Sequence, residues 1–124
     1  MKTRNVKTAD LTRAPLDWAV TVAMGMKYQI VGNSFDTSWL EDRPDGSRSR
    51  VFGRYRPSTD WGQGGPLIES NGIWLSDDNE TEEPWIASSG GGNMHYGISP
   101  LIAACRAIVA AKLGDTVDVP EVLL

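Results

Sequence analysis

The longest apolar pattern in the chain follows Ser99 and has the period of a helix, about 3.6 residues. Its aliphatic face consists of Leu101, Ile102, Cys105, Ile108, Val109 and Leu113. Ser99 followed by Pro100 is a helix start signal, and Gly114 is a stop signal. The pattern predicts a helix over residues 99–113. Because alanines fill most of its remaining circumference, we expect it to be buried on more than one side or covered by another chain.

A second helical pattern lies closer to the N-terminus, over residues 12–25. Thr12 is placed as an N-cap, and Gly25 is placed as the stop signal. Most of the circumference between them is apolar, and only Asp17 and Thr21 form a polar stripe. We therefore predict that this helix is mostly covered.

Short apolar or alternating runs predict strands at residues 1–8, 28–31, 48–55, 73–75 and 85–87, and an edge strand in the tail before Pro120. Single helical turns are predicted at 57–62 and 66–70. Phe35 and Trp39 lie between two strands and are interpreted as anchors of a loop. The fold class is α+β, a small and mostly antiparallel sheet packed with two main helices. At 124 residues we expect a single domain over 1–124.

Composition narrows the classes of function. The net charge of -4 argues against nucleic acid as a general partner, because that binding depends on Lys and Arg neutralising phosphates. The apolar runs are too short for a membrane span, and the basic start lacks the apolar stretch of a secretory signal, so we expect a cytoplasmic protein. With one cysteine and one histidine, we expect no disulfide, metal or cofactor. The five tryptophans are typical of a core, but also of interfaces and binding pockets.

An alternating run of basic residues forms the first candidate site. Arg48, Arg50, Phe52, Arg54 and Arg56 would share one face of a regular strand. Such a face can bind an anionic ligand or single-stranded nucleic acid by charge and stacking. The alternative is a solvated face, or one paired with acidic neighbours. Those neighbours are Asp77, Asp78, Glu80, Glu82 and Glu83.

A glycine-rich loop over residues 90–99 forms the second candidate. Its glycines have the spacing of a phosphate-binding loop, but Ile98 occupies the place of the essential lysine. The sequence therefore disfavours a nucleotide-binding P-loop and leaves open a weaker anion site near Ser99. His95 is a possible general base, with Ser99 and Cys105 as its nearby nucleophile candidates, although Cys105 is predicted to face the core.

Two Asp-Trp dipeptides place carboxylates at positions 17 and 60. Paired carboxylates can serve hydrolases as acid and base. The simpler interpretation makes Asp17 the polar edge of a helix and Asp60 a capping residue.

Three groups of residues resemble the NinX-like family of phage and prophage proteins, a domain of unknown function. The groups are Leu11-Thr12 with 16–20, Ser58-Thr59-Asp60-Trp61 with 65–69, and Trp85-Ile86-Ala87 with 99–104. The family has a glycine after its first Leu-Thr pair, where this chain has Arg13. The resemblance implies a phage-encoded protein that acts inside a bacterial cell. It supplies no catalytic or ligand-binding residue to transfer.

Together these observations predict a non-enzymatic phage accessory protein that binds a host or phage protein and that can also form homo-oligomers. The alternative is a small-molecule or nucleotide-binding domain that uses loop 90–99 and the arginine strand 48–56. No catalytic residue is predicted. The candidate surface consists of Arg48, Arg50, Arg54, Arg56, Trp61, His95 and Ser99.

Overall fold

The C-terminal helix is the element around which the others pack. The computed structural model describes residues 1–77, 80–91 and 93–124, and at position 39 it describes the backbone alone. Within these residues the helices are α1 (Arg13–Ala23), α2 (Trp61–Ser70) and α3 (Pro100–Leu113). Both predicted main helices are thereby confirmed, and α2 is added to them. None of these helices is both long and apolar enough to cross a membrane.

The strands of the described segments form three small antiparallel sheets. The first pairs β1 (Thr3–Lys7) with β8 (Thr116–Pro120). The second has the order β2 (Tyr28–Val31), β3 (Ser34–Asp42), β4 (Arg48–Gly53). The third has the order β5 (Trp74–Asp77), β6 (Trp85–Ser88), β7 (His95–Gly97). The α+β class is confirmed, with the strands divided among separate sheets.

Helix α3 begins and ends as its sequence predicts. The Ser99 hydroxyl accepts a hydrogen bond from the Ile102 amide at 3.1 Å, and Gly114 ends the helix with a φ of +99°. Ala103 and Ala107 pack with Ala87 of β6, while Ile108 belongs to the main core with α1. The chain itself therefore covers α3 on more than one side, which is the first of the two alternatives that its alanines left open.

Three local predictions are wrong. The stretch around Phe35 is the nine-residue strand β3 and not a loop, with Phe35 buried in the core. The break predicted between the helical turns at 57–62 and 66–70 is absent: a turn over residues 57–59 is followed by the continuous helix α2, which Asp60 caps by accepting from the Gly62 amide at 2.8 Å. Part of the glycine-rich loop is strand β7, paired with β6. Gly92 and Asp78, which the sequence also singled out, lie outside the described residues.

Candidate functional site

A cavity of about 260 Å³ lies beside the first turn of α1. Three of its lining residues are arginines: Arg13 from α1, and Arg54 and Arg56 from the segment after β4. The other lining residues are Ala14, Asp17, Ser34, Phe35, Tyr55 and Thr59. We call this feature the arginine cavity. Its wall combines three arginines with one aspartate, in a chain whose net charge is -4.

The segment after β4 places its arginines by alternation. Tyr55 is buried in the core, whereas Arg54 and Arg56 on either side of it are exposed. The Arg54 Nη2 group donates to the Ser34 hydroxyl at 3.2 Å. The Arg56 amide donates to the side-chain oxygen of Gln63 at 2.6 Å, which fixes this segment against α2. The Arg54 guanidinium is thereby held beside Ser34, and the backbone at Arg56 is held against α2.

Asp17 is the acidic member of the cavity wall, and its side chain is buried. Its Oδ1 atom accepts a hydrogen bond from the Ser58 amide at 2.9 Å. Burial raises the pKa of this carboxyl to about 6, since hydrogen bonding to Ser58 and the charges of Arg56 and Arg54 only partly offset the desolvation. The predicted polar stripe of α1 does not face solvent, because Asp17 and Thr21 are both buried.

Arg13 has an unusual backbone. Its φ is +52°, and it is the only residue other than glycine with a positive φ in the described part of the chain. A side chain in this left-handed region costs roughly 1–2 kcal/mol, because Cβ approaches the following carbonyl oxygen. Strain of this kind is often found at binding sites. The strained residue lies in the wall of the arginine cavity.

The sequence of the chain matches the model of a known protein family. The family model described as Bacteriophage P22, NinX matches residues 7–112. The chain belongs to this NinX family. It is therefore a phage protein, as the resemblance predicted, and the match includes every residue of the arginine cavity. No curated protein matches the sequence.

The resemblance to the NinX family implies a glycine at position 13, and the backbone of this chain would suit one there. With the φ of +52° that Arg13 adopts, glycine lacks the Cβ that causes strain. We expect Arg13→Gly to raise the free energy of unfolding by about 1 kcal/mol. Arg13→Ala keeps a Cβ and serves as the matched control, for which we expect no gain. Urea denaturation of both variants tests this, and an equal response of the two would contradict the strain at Arg13.

The pKa of Asp17 predicts an unusual dependence of stability on pH. In the unfolded chain the carboxyl titrates near 3.8, so between about 6 and 3.8 the native state binds the proton that the unfolded state lacks. As pH falls from 7 to 4, the free energy of unfolding of the wild type should rise relative to Asp17→Asn, by up to about 3 kcal/mol. Denaturation of both proteins across this range measures the difference.

Asp45 offers a control of opposite sign. Hydrogen bonds from Ser47 lower the pKa of this exposed carboxyl. The wild type should therefore lose stability relative to Asp45→Asn as pH falls through that lowered pKa. If Asp17→Asn followed the same trend as Asp45→Asn, the burial of a proton-binding Asp17 would be contradicted.

The arginines predicted on one strand occupy two environments. Arg48, Arg50 and Phe52 lie on the exposed face of β4, which ends at Gly53. Arg48 pairs with Asp42 at 2.9 Å, and the Arg50 guanidinium donates to the Ser38 hydroxyl at 3.1 Å. The ion-pair partner of Arg48 thus comes from the neighbouring strand β3. Glu83, one of the acidic residues considered for that role, is paired with Arg106 instead.

The remaining predicted site residues lie elsewhere. His95 lines a separate cavity of about 160 Å³ with Glu83 and Arg106, and burial lowers its pKa. Ser99 uses its hydroxyl to cap α3. Trp61 is the first residue of α2 and is 57% exposed. The glycine-rich loop and the pair Arg54 and Arg56 therefore contribute to different cavities.

The candidate nucleophile Cys105 is in the core, as the sequence predicted. Its side chain is 1% exposed, and burial raises the pKa of the thiol. A thiol in this state is a poor nucleophile, because the thiolate is the reactive form.

Arg13 and Asp17 are the charged residues of the cavity that the sequence did not place on the candidate surface. One signal could have pointed to Arg13: it stands where the resemblance implies a glycine. For Asp17 the signal was a single carboxylate on a helix predicted to be mostly covered.

Proposed function

We propose that this phage protein acts by binding, without catalysis, to an acidic segment of a host or phage protein in the bacterial cytoplasm. The observation that supports this proposal is the arginine cavity. It brings three arginines together in one concave wall on an acidic chain. Guanidinium groups bind carboxylates through two parallel hydrogen bonds, which gives both charge and directional selectivity.

The dimensions of the cavity favour a single acidic group. Its volume of about 260 Å³ lies below the roughly 300–1,000 Å³ of typical small-molecule pockets. Phe35 and Tyr55 belong to its wall, but both are almost fully buried and offer little ring surface for stacking a base. A carboxylate side chain fits this environment better than a nucleotide.

The arrangement of the other elements also favours a different protein as partner. The nucleotide alternative joined the glycine-rich loop to the arginine strand, but these line different cavities. Self-association was motivated by the apolar surface of α3, and the chain itself covers that surface. The proposal rests on the arginine cavity and depends neither on the glycine-rich loop nor on the surface of α3.

Fluorescence anisotropy with a labelled Glu-rich peptide tests the proposal, with a Gln-rich peptide of equal length as reference. The wild type should prefer the Glu-rich peptide. Arg54→Ser combined with Arg56→Ser should weaken its binding by about tenfold or more, because hydrogen bonds to charged groups contribute about 1.5–3 kcal/mol each.

Arg48 and Arg50 provide a control with the same change in net charge. These two arginines are exposed on β4 and are absent from the lining of the arginine cavity. Their double replacement by serine should weaken binding by less than about threefold. Equal losses from the two double variants, with both melting like the wild type, would contradict a role for the cavity. Absence of any preference for the Glu-rich peptide would contradict the proposal as a whole.

A further inference from the structure

A second and larger cavity adjoins the arginine cavity. Its volume is about 410 Å³, and it shares Arg13 and Ala14 with the arginine cavity. The rest of its wall comes from other parts of the chain: Val6, Asp10, Leu11, Thr12, Pro15, Leu123 and Leu124. We call it the apolar cavity. The two cavities meet at the first turn of α1, where Arg13 belongs to both.

The two cavities differ in the charged residues of their walls. The arginine cavity has three arginines and one aspartate, whereas the charged residues of the apolar cavity, Arg13 and Asp10, are of opposite sign and leave it without an excess of positive charge. The remaining wall of the apolar cavity is mostly apolar, and Leu124 in it is 52% exposed. A ligand that carries an acidic group and an apolar group can therefore bind in one orientation, with the acidic group among the arginines.

We propose that the two cavities form one docking site for a peptide segment that carries an acidic residue a few positions away from a large apolar residue. This inference rests on the proposed function and names the class of partner. Two matches support it: the acidic residue of the peptide matches the charge of the arginine cavity, and its apolar residue matches the wall of the apolar cavity on the other side of Arg13. An extended peptide advances by roughly 3.3–3.6 Å per residue, so a short spacing connects adjoining cavities.

A series of peptides tests the spacing. Each is the Glu-rich peptide with either one Phe or one Ser at successive positions beside the acidic run. At one or two spacings, Phe should strengthen binding by about tenfold to a hundredfold over Ser, the gain expected from burying a large apolar side chain. A gain of less than threefold at every spacing would overturn this inference.

Thr12 allows the apolar cavity to be blocked with little effect on α1. It is exposed, and although it is the N-cap residue its side chain makes no capping hydrogen bond. Thr12→Trp should remove the gain from Phe while leaving the affinity for the Ser peptide within about twofold. Thr12→Ser is the matched control and should retain the gain.

These outcomes separate the two proposals. If the gain from Phe survives in Thr12→Trp, the apolar cavity is not the site and this inference fails. If the preference for Glu over Gln holds while Phe adds nothing, the proposed function stands alone. If the preference for Glu is itself absent, both proposals fail.

Discussion

Replacing Gly64 with alanine should destabilise the protein by about 3 kcal/mol, because α2 passes too close to its neighbours to admit a methyl group. A Cβ atom built at Gly64 would overlap the carbonyl oxygen of Pro57 and lie 2.6 Å from Cδ2 of Leu101. The Pro57 oxygen is part of the backbone, so the overlap requires the backbone to shift. Denaturation with urea, monitored by tryptophan fluorescence, measures the loss.

Gly65 provides the control at the next position of the same helix. A Cβ at Gly65 meets its nearest neighbour, Cε3 of Trp61, at 3.9 Å, which is an ordinary contact. Gly65→Ala should therefore stabilise the protein by about 0.5–1 kcal/mol, the gain in helix propensity. The two substitutions are chemically identical and adjacent, yet their expected effects have opposite signs. Equal effects would contradict the close packing of α2.

The tight approach at Gly64 also explains why the sequence did not predict a continuous α2. Gly64, Gly65 and Pro66 are three successive residues of low helix propensity. Their local preference predicted a break between two helical turns. The helix forms nevertheless, because Asp60 caps it and because a glycine lets it pack closely against α3. Tertiary contacts decided this segment, and they are not visible in a local window.

The sequence of β3 contains two features typical of a strand, an alternation of residues and a turn before it. Phe35, Thr37 and Trp39 occupy alternate positions, and Phe35 and Thr37 are both buried. Gly32 and Asn33 form a two-residue turn between β2 and β3, with Gly32 at a φ of +62°. Thr37, a polar residue at a buried position, weakened the alternation of apolar and polar residues along β3. The capped helices, by contrast, had their start and stop signals within the helix sequence itself.

The candidate site could not be located from the sequence, because its residues come together only in the folded chain. Arg54 and Arg56 were singled out from sequence, but their alternation indicated a flat strand face and gave no hint of a cavity. Asp17 lies far from them in the chain, and its burial depends on contact with Ser58. A helical pattern predicts that a face is covered but does not identify the segment that covers it. The placement of a buried aspartate and three arginines in one cavity wall is therefore a tertiary property.

Replacing Arg106 should have the other large effect on stability, because its side chain contacts several separate segments of the chain. This arginine of α3 is 5% exposed. Its Nε atom donates to the Leu11 carbonyl at 3.0 Å. Its Nη1 atom donates to the Tyr96 carbonyl at 2.7 Å and pairs with Glu83 at 2.5 Å. One side chain thereby connects α3, β7, the segment before α1 and the loop before β6.

Arg106→Met should lower the free energy of unfolding by about 3 kcal/mol. Methionine fills most of the volume, but it leaves the buried carbonyl of Leu11 and the partly buried carbonyl of Tyr96 without this donor, and a buried group left unsatisfied costs about 1–3 kcal/mol. Glu83→Gln is the matched control. Because the Glu83 side chain is 43% exposed, its loss of charge should cost about 1 kcal/mol or less. A Glu83→Gln variant as unstable as Arg106→Met would show that the ion pair, and not the two carbonyl contacts, holds these segments together.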